Sequence, residues 1–129
     1  MLHHLTLWVP DLPRAEESWS WLLGRLGYSP DRSLDTVALY RHDSGFAIAL
    51  EQSSDMVPGM LYSRLRPGLN HVAFRVQPGV DLDATVKEAG DHGWSQLPVE
   101  THPIAGGARV AYLEDRDGFE VELVAPNGD

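Results

Sequence analysis

Hydrophobic and polar residues alternate along Leu2–Val9, with Leu5, Leu7 and Val9 on one parity and His4, Thr6 and Trp8 on the other. A strand sends successive side chains to opposite faces, so this run predicts a strand with one apolar face and one face bearing a histidine. The pattern returns at Asn70–Val76, where His71, Ala73 and Arg75 share a parity and Val72, Phe74 and Val76 hold the other. Such a recurrence marks an internal repeat. It divides the chain into two halves, with His4 and His71 at equivalent positions.

Pro10 stops the first strand and Asp11 is suited to cap a helix. Leu12, Ala15, Trp19, Leu22, Leu23 and Leu26 then recur at helical spacing, so an amphipathic helix is expected to about Leu26, with Gly27 as its stop. Glu16 and Glu17 are expected near its positive end. Tyr28–Leu34, with Pro30 and Asp31, reads as turn-rich. Thr36–Arg41 and Gly45–Gln52 read as two strands joined through His42-Asp43-Ser44. In the second of these, Phe46, Ile48 and Leu50 share one face and Ala47, Ala49 and Glu51 the other.

Ser53–Gly68 is the least regular stretch and reads as a linker, with Pro58-Gly59 and Pro67-Gly68 around Met60, Leu61 and Tyr62. The second half repeats the order of the first. Strand Asn70–Val76 is followed by a short helix over Asp81–Asp91, a strand over Trp94–Val99, another over Arg109–Leu113, and a last one over Phe119–Val124 after the turn Glu114-Asp115-Arg116-Asp117-Gly118. Each half is thus strand, helix and about three strands. His4 precedes Gly45-Phe46 by 41 positions and His71 precedes Gly118-Phe119 by 47, a difference that loop insertions accommodate. The expectation is an α+β fold of two tandem βαβββ modules in one domain, module one over 1–52, a linker over 53–68 and module two over 69–129. The two modules would form a curved sheet around a shared cleft, helices outside, with the His4, His71 and Glu122 parities facing the cleft.

Length and composition narrow the function. At 129 residues the chain can bury a core as one domain. A formal charge of −9 disfavours nucleic acid, whose phosphates need a basic face, and disfavours anionic membranes. Cysteine is absent, which removes disulfides and thiolate metal sites. With no apolar run long enough to span a bilayer and no signal-peptide pattern at Met1, a cytoplasmic protein is expected.

Two histidines and a carboxylate on the inward faces of three strands match the ligand chemistry of a divalent metal. Neutral imidazole with carboxylate suits iron, manganese, nickel, zinc or cobalt and leaves positions for water or substrate. Trp8 and Arg75 share the cleft parity at the far ends of their strands, as an aromatic wall and an anion clamp or as packing and a surface ion pair. His102, before Pro103 in a loop, is a candidate substrate contact. Tyr112 is another, unless it is a plain core tyrosine. Glu120 shares the Glu122 face nearer the turn, as a rim carboxylate. His3 has the opposite parity to His4, and His42 and His92 fall in turns.

These residues carry a family likeness over nearly the whole chain. The chain resembles the vicinal oxygen chelate superfamily, which includes glyoxalase I, extradiol dioxygenases, fosfomycin-resistance thiol transferases, methylmalonyl-CoA epimerase and bleomycin-resistance proteins. His4-Leu5-Thr6-Leu7-Trp8-Val9-Pro10-Asp11-Leu12 is similar to the family's opening strand and helix start. Trp21-Leu22-Leu23-Gly24-Arg25-Leu26-Gly27-Tyr28 is similar to its helix end. Gly68-Leu69-Asn70-His71-Val72-Ala73-Phe74 resembles the start of its second module, and Glu114–Leu123 its closing turn and strand. The resemblance implies that His4, His71 and Glu122 are metal ligands. Glyoxalase-type members take a fourth ligand from the last strand of the first module, and the matching position here is Ala49, a departure that argues against glyoxalase I activity. Glu51, on the same strand face roughly 7 Å further on, could be drawn in as a ligand, act as a base, or do neither.

The resemblance implies a metal-dependent enzyme on a small-molecule substrate, of lyase, isomerase, transferase or dioxygenase type, in which the ion stabilises an oxyanion or enolate. The alternative is a metal-free drug- or metabolite-binding protein of the bleomycin-resistance kind, its cleft lined by Trp8 and Tyr112. A weaker reading makes Met56–Tyr62 an interaction surface. A homodimer is expected, with the modules pairing within one chain or across two.

Overall fold

A computed structural model of the chain describes residues 1–98 and 105–126. Its contacts divide the chain into two units, Met1–Leu61 and Tyr62–Asp129, each built from one strand, one helix and three further strands. The fold is α+β, two tandem βαβββ modules.

In the first unit β1 (His4–Trp8) leads into α1 (Leu12–Arg25), followed by β2 (Tyr28–Ser33), β3 (Val37–His42) and β4 (Ala47–Glu51). The Asp11 side chain caps α1 by accepting from the Arg14 N–H at 3.0 Å, and the Gln52 side-chain oxygen takes the N–H of Leu12 at 2.8 Å. Two of the donors left over at a helix start are thereby satisfied. The helix buries Leu12, Ala15, Trp19, Leu22 and Leu23, which are the residues its periodicity marked. Ser18 is buried with them. Glu16 lies beyond the first turn, contrary to expectation, and its carboxylate accepts a hydrogen bond from the Tyr40 hydroxyl at 2.9 Å.

The four strands order as β1-β4-β3-β2, with β1 parallel to β4 and the other pairs antiparallel. On one face Leu7, Ile48, Leu50, Ala38 and Tyr40 are buried, and α1 contacts β2, β3 and β4. Burying each large apolar side chain contributes about 1.5–3 kcal/mol, so Trp19, Leu22, Leu23, Ile48 and Leu50 anchor this unit. The stretch expected to be turn-rich is instead the edge strand β2, its register shifting between Pro30 and Arg32. An edge strand tolerates a residue with no N–H, and a bulge absorbs the extra residue. Turn-forming side chains here mark an edge, not a break.

The second unit repeats the plan with β5 (His71–Arg75), α2 (Leu82–Ala89), a single 3-10 turn at Gly90–His92, β6 (Ser95–Leu97), β7 (Val110–Glu114) and β8 (Glu120–Val124). Its sheet has the same order, β5-β8-β7-β6, again with a parallel first pair. The hairpins match as well. His42 donates its N–H to the carbonyl of Phe46, and Asp115 to that of Phe119, both at 2.9 Å. Gly45 and Gly118 each supply the left-handed backbone such a turn requires, with φ of 95° and 87°.

Ser53–Gly68 contains neither helix nor strand. Its latter part packs on the second unit, where Tyr62 stacks on Phe119 with ring centroids 4.0 Å apart and donates its hydroxyl hydrogen to the Leu69 carbonyl. Val57, Met60, Leu61 and Leu65 are exposed. Among the described residues no helix is long and apolar enough to cross a membrane.

Candidate metal and substrate site

The polar face of the second sheet gathers most of the chemistry. Strand register sets Glu120 beside His71 and Glu122 beside Ala73, so Glu122 sits diagonally across from the histidine. Tyr112 neighbours Glu122 and Glu114 neighbours Glu120 on the far side. The result is a row of His71, Glu120, Glu122, Tyr112 and Glu114 on one surface, opposite the buried Phe74, Val121, Leu123 and Leu113.

His71 Nε2 stands 3.3 Å from Glu122 Oε1, and Glu122 is buried. Imidazole and carboxylate bind a first-row divalent ion at about 2.0–2.2 Å, and adjacent vertices of a tetrahedron or octahedron then lie about 3.0–3.5 Å apart. The observed separation fits two neighbouring ligands of such an ion. The other ring nitrogen, Nδ1, lies 2.7 Å from Asn70 Oδ1 and 3.5 Å from Glu120 Oε2. Asn70 Nδ2 in turn donates to the Arg64 carbonyl at 3.0 Å. The Arg64 guanidinium reaches Glu114 Oε2 through Nη1 at 2.6 Å and Glu120 Oε1 through Nε at 3.3 Å. Metal-ligating histidines commonly have their second nitrogen held in this way.

A cavity of about 310 Å³ opens against this row. Leu65, Leu97 and Pro98 form its apolar side, and Arg64, Asn70, His71 and Glu120 its polar end. Tyr112 also lines it and meets His71 edge-on, with centroids 6.0 Å apart and planes at 88°. Its volume is at the small end for ligand pockets. Burial pushes the Tyr62 phenol above its ordinary value, with Glu120 and Asp115 adding to the effect and Arg64 opposing it.

In the first unit His4 is exposed on the polar face of its sheet, its Nδ1 2.8 Å from Nδ1 of His3. The two sheets correspond in register. His4 pairs with Ala47 as His71 pairs with Glu120, and Thr6 pairs with Ala49 as Ala73 pairs with Glu122. Ala49 is therefore the register equivalent of Glu122. Glu51 pairs with Trp8, four residues along β1 from His4 and so about 13 Å away at strand rise. There its Oε1 accepts from the Trp8 indole at 3.0 Å, and Trp8 is 47% exposed. Arg75, at the end of β5, pairs with Val124.

Of the residues singled out from sequence, His71, Glu122 and Tyr112 come together, as do Trp8 and Glu51. His102 lies outside the described residues. Among the described residues, no cluster of three or more His, Asp or Glu side chains is positioned to hold a metal. Asn70, Arg64 and Glu114 were missed. Asn70 adjoins the histidine in sequence and was readable as its neighbour. Arg64 comes from an irregular segment, where no periodicity points a side chain anywhere.

A profile described as the glyoxalase/bleomycin resistance protein/dioxygenase superfamily matches residues 3–112. The uncharacterized protein YqjT of Bacillus subtilis (strain 168) is 32% identical over 98% of this chain and 99% of its own length. A crystal structure from Bacillus halodurans, provisionally described as a glyoxalase, is 32% identical and superimposes with a TM-score of 0.83 over 98% of this chain and 96% of that one. The genomically encoded fosfomycin resistance protein FosX of Listeria monocytogenes, crystallised in mutant form with Mn(II) and 1S,2S-dihydroxypropylphosphonic acid, shares the fold at 22% identity and a TM-score of 0.66, over 96% of this chain and 88% of that one.

Proposed function

Because the chain belongs to the glyoxalase/bleomycin resistance protein/dioxygenase superfamily, we propose that it is a metal-dependent enzyme acting on a small molecule, with His71, Glu122 and His4 as the ligands of a divalent ion. The observation that carries this reading is the 3.3 Å separation of His71 Nε2 and Glu122 Oε1, the spacing of two adjacent ligands. A nitrogen and oxygen donor set without thiolate suits manganese, iron, cobalt, nickel or zinc. When bound, the ion supplies Lewis acidity to a substrate oxygen and so stabilises an oxyanion or enolate.

The chain's own residues do the rest. Leu65, Leu97 and Pro98 hold the apolar part of a substrate and keep water from it. Tyr112, edge-on to His71, bounds the substrate beside that ligand. Arg64 is engaged by Glu114 and Glu120, so it fixes this wall more than it offers a free cation to an anionic substrate. Glu51 works as a base only on a substrate atom lying against the Trp8 indole, to which it is hydrogen-bonded. The protein acts as a homodimer, a reading supported by the exposed apolar Val57, Met60 and Leu61.

Elemental analysis of the purified protein, beside His71→Ala and Glu122→Gln, tests this. The expected result is near-stoichiometric divalent metal in the parent and loss of it in both variants. A parent chain that takes up none of the five metals on reconstitution would overturn the reading, and the cavity would then be that of a metal-free binder.

A further inference from the structure

The hydrogen-bond chemistry around His71 assigns a role to a residue outside the ligand set. Asn70 donates from Nδ2 to the Arg64 backbone carbonyl at 3.0 Å, and a carbonyl can only accept. That bond fixes which way the amide faces. Its oxygen, Oδ1, is the atom 2.7 Å from His71 Nδ1. An amide oxygen also only accepts, so Nδ1 must carry the hydrogen. In a neutral imidazole Nε2 is then left with its lone pair, 3.3 Å from Glu122 Oε1. Two acceptors facing each other repel unless a proton or a metal cation lies between them. The arrangement therefore holds the histidine in the one tautomer that can bind a metal through Nε2.

We propose that Asn70 is the positioning residue of this site: anchored on the Arg64 carbonyl, it selects the Nδ1–H tautomer of His71 and so sets the affinity for a divalent cation. The proposal rests on the reading of His71 as a ligand. Glu120 Oε2, at 3.5 Å from Nδ1, is too distant for a hydrogen bond as it stands but is near enough to take over if Asn70 is removed. Arg64 supports both partners, Asn70 through its carbonyl and Glu120 through Nε. The irregular segment before β5 thus has a job: it carries the backbone atom that orients the amide.

The test has two arms. Nitrogen-15 spectra of the metal-free protein, recorded at rising pH until the ring signals no longer change, report the tautomer of neutral His71, identified by its loss in His71→Ala. The parent and Glu120→Ala should both show Nδ1–H. Asn70→Ala with Glu120→Ala should shift His71 toward Nε2–H or a mixture, and Asn70→Asp should keep part of the Nδ1–H population, because its carboxylate accepts but lacks the donor that anchors Asn70 on the Arg64 carbonyl. In the second arm, titration with manganese or zinc should show the double variant binding about 10–100-fold more weakly than the parent, with Asn70→Asp falling between the two. Nε2–H in the parent, or a double variant with unchanged tautomer and affinity, would overturn the proposal. Glu120→Ala alone shifting the tautomer, with Asn70→Ala silent, would transfer the role to Glu120. A parent that shows Nδ1–H and takes up no metal would overturn the ligand reading itself, a result the spectra distinguish from a failure of Asn70.

Discussion

Tyr40 shows how one hydroxyl ties a helix to its sheet. The ring is buried on β3 and the hydroxyl donates to the Glu16 carboxylate of α1 at 2.9 Å. Burial, then the hydrogen bond to Glu16 and its charge, push this phenol well above its ordinary value. Tyr28 and Tyr62 are displaced the same way, chiefly by burial. A raised folded-state value means that the native chain keeps protons the unfolded chain has released. The stabilisation is whole below about pH 10 and is lost as pH rises through the folded values. Tyr40→Phe should cost about 1.5–3 kcal/mol at neutral pH through the lost charge-assisted bond, and should flatten the fall in stability above about pH 10; urea melts at neutral and alkaline pH check both. At this scale the sequence was partly legible. The parity of His71 and Glu122 followed from alternation alone. That Asn70 faces Nδ1 did not, because it depends on a carbonyl six residues upstream in a segment with no period.

Among the elements, the hairpin before β8 matters most to the site. Asp115 is buried, and its Oδ1 accepts from the N–H groups of Asp117 and Phe119, both at 2.9 Å. It thereby fixes where β8 begins, and with it the positions of Glu120 and Glu122. Asp115→Ala leaves the Phe119 N–H without that acceptor, and an unsatisfied buried donor costs about 1–3 kcal/mol. The expected outcome is a lower melting temperature together with weaker divalent-metal binding, while Asp115→Asn, which keeps an acceptor oxygen, retains most of both. Calorimetry with and without metal separates the two effects. Most elements could be read from period and punctuation, α1 most clearly, since its six apolar marks were spaced for one face. β2 could not. Pro30 and Asp31 are turn residues by every local rule, and only its place at the sheet edge, a non-local fact, makes them strand residues.

At the scale of the whole molecule the repeat itself was the most legible feature, because two histidine-bearing strands announce it. Whether one chain or two complete the proposed site is decided by mixing. If His4 serves a partner copy, combining His4→Ala with His71→Ala protein after subunit exchange should restore metal to about a quarter of the sites, one in each mixed dimer; if it serves its own chain, none returns. The likeness of the two sheets also leaves unequal halves. Ala47 and Ala49 stand where the second sheet carries Glu120 and Glu122, so the first half leaves those two register positions without a carboxylate. A blank position is room for invention: a glutamate at residue 49 would stand to His4 as Glu122 stands to His71. Since Ala49 is only 7% exposed, an unpaired carboxylate there is costly. Ala49→Glu should therefore melt below the parent without metal and regain much of the difference with it. A duplicated fold of this kind can extend a coordination sphere by a single substitution, with the cation itself compensating for the change.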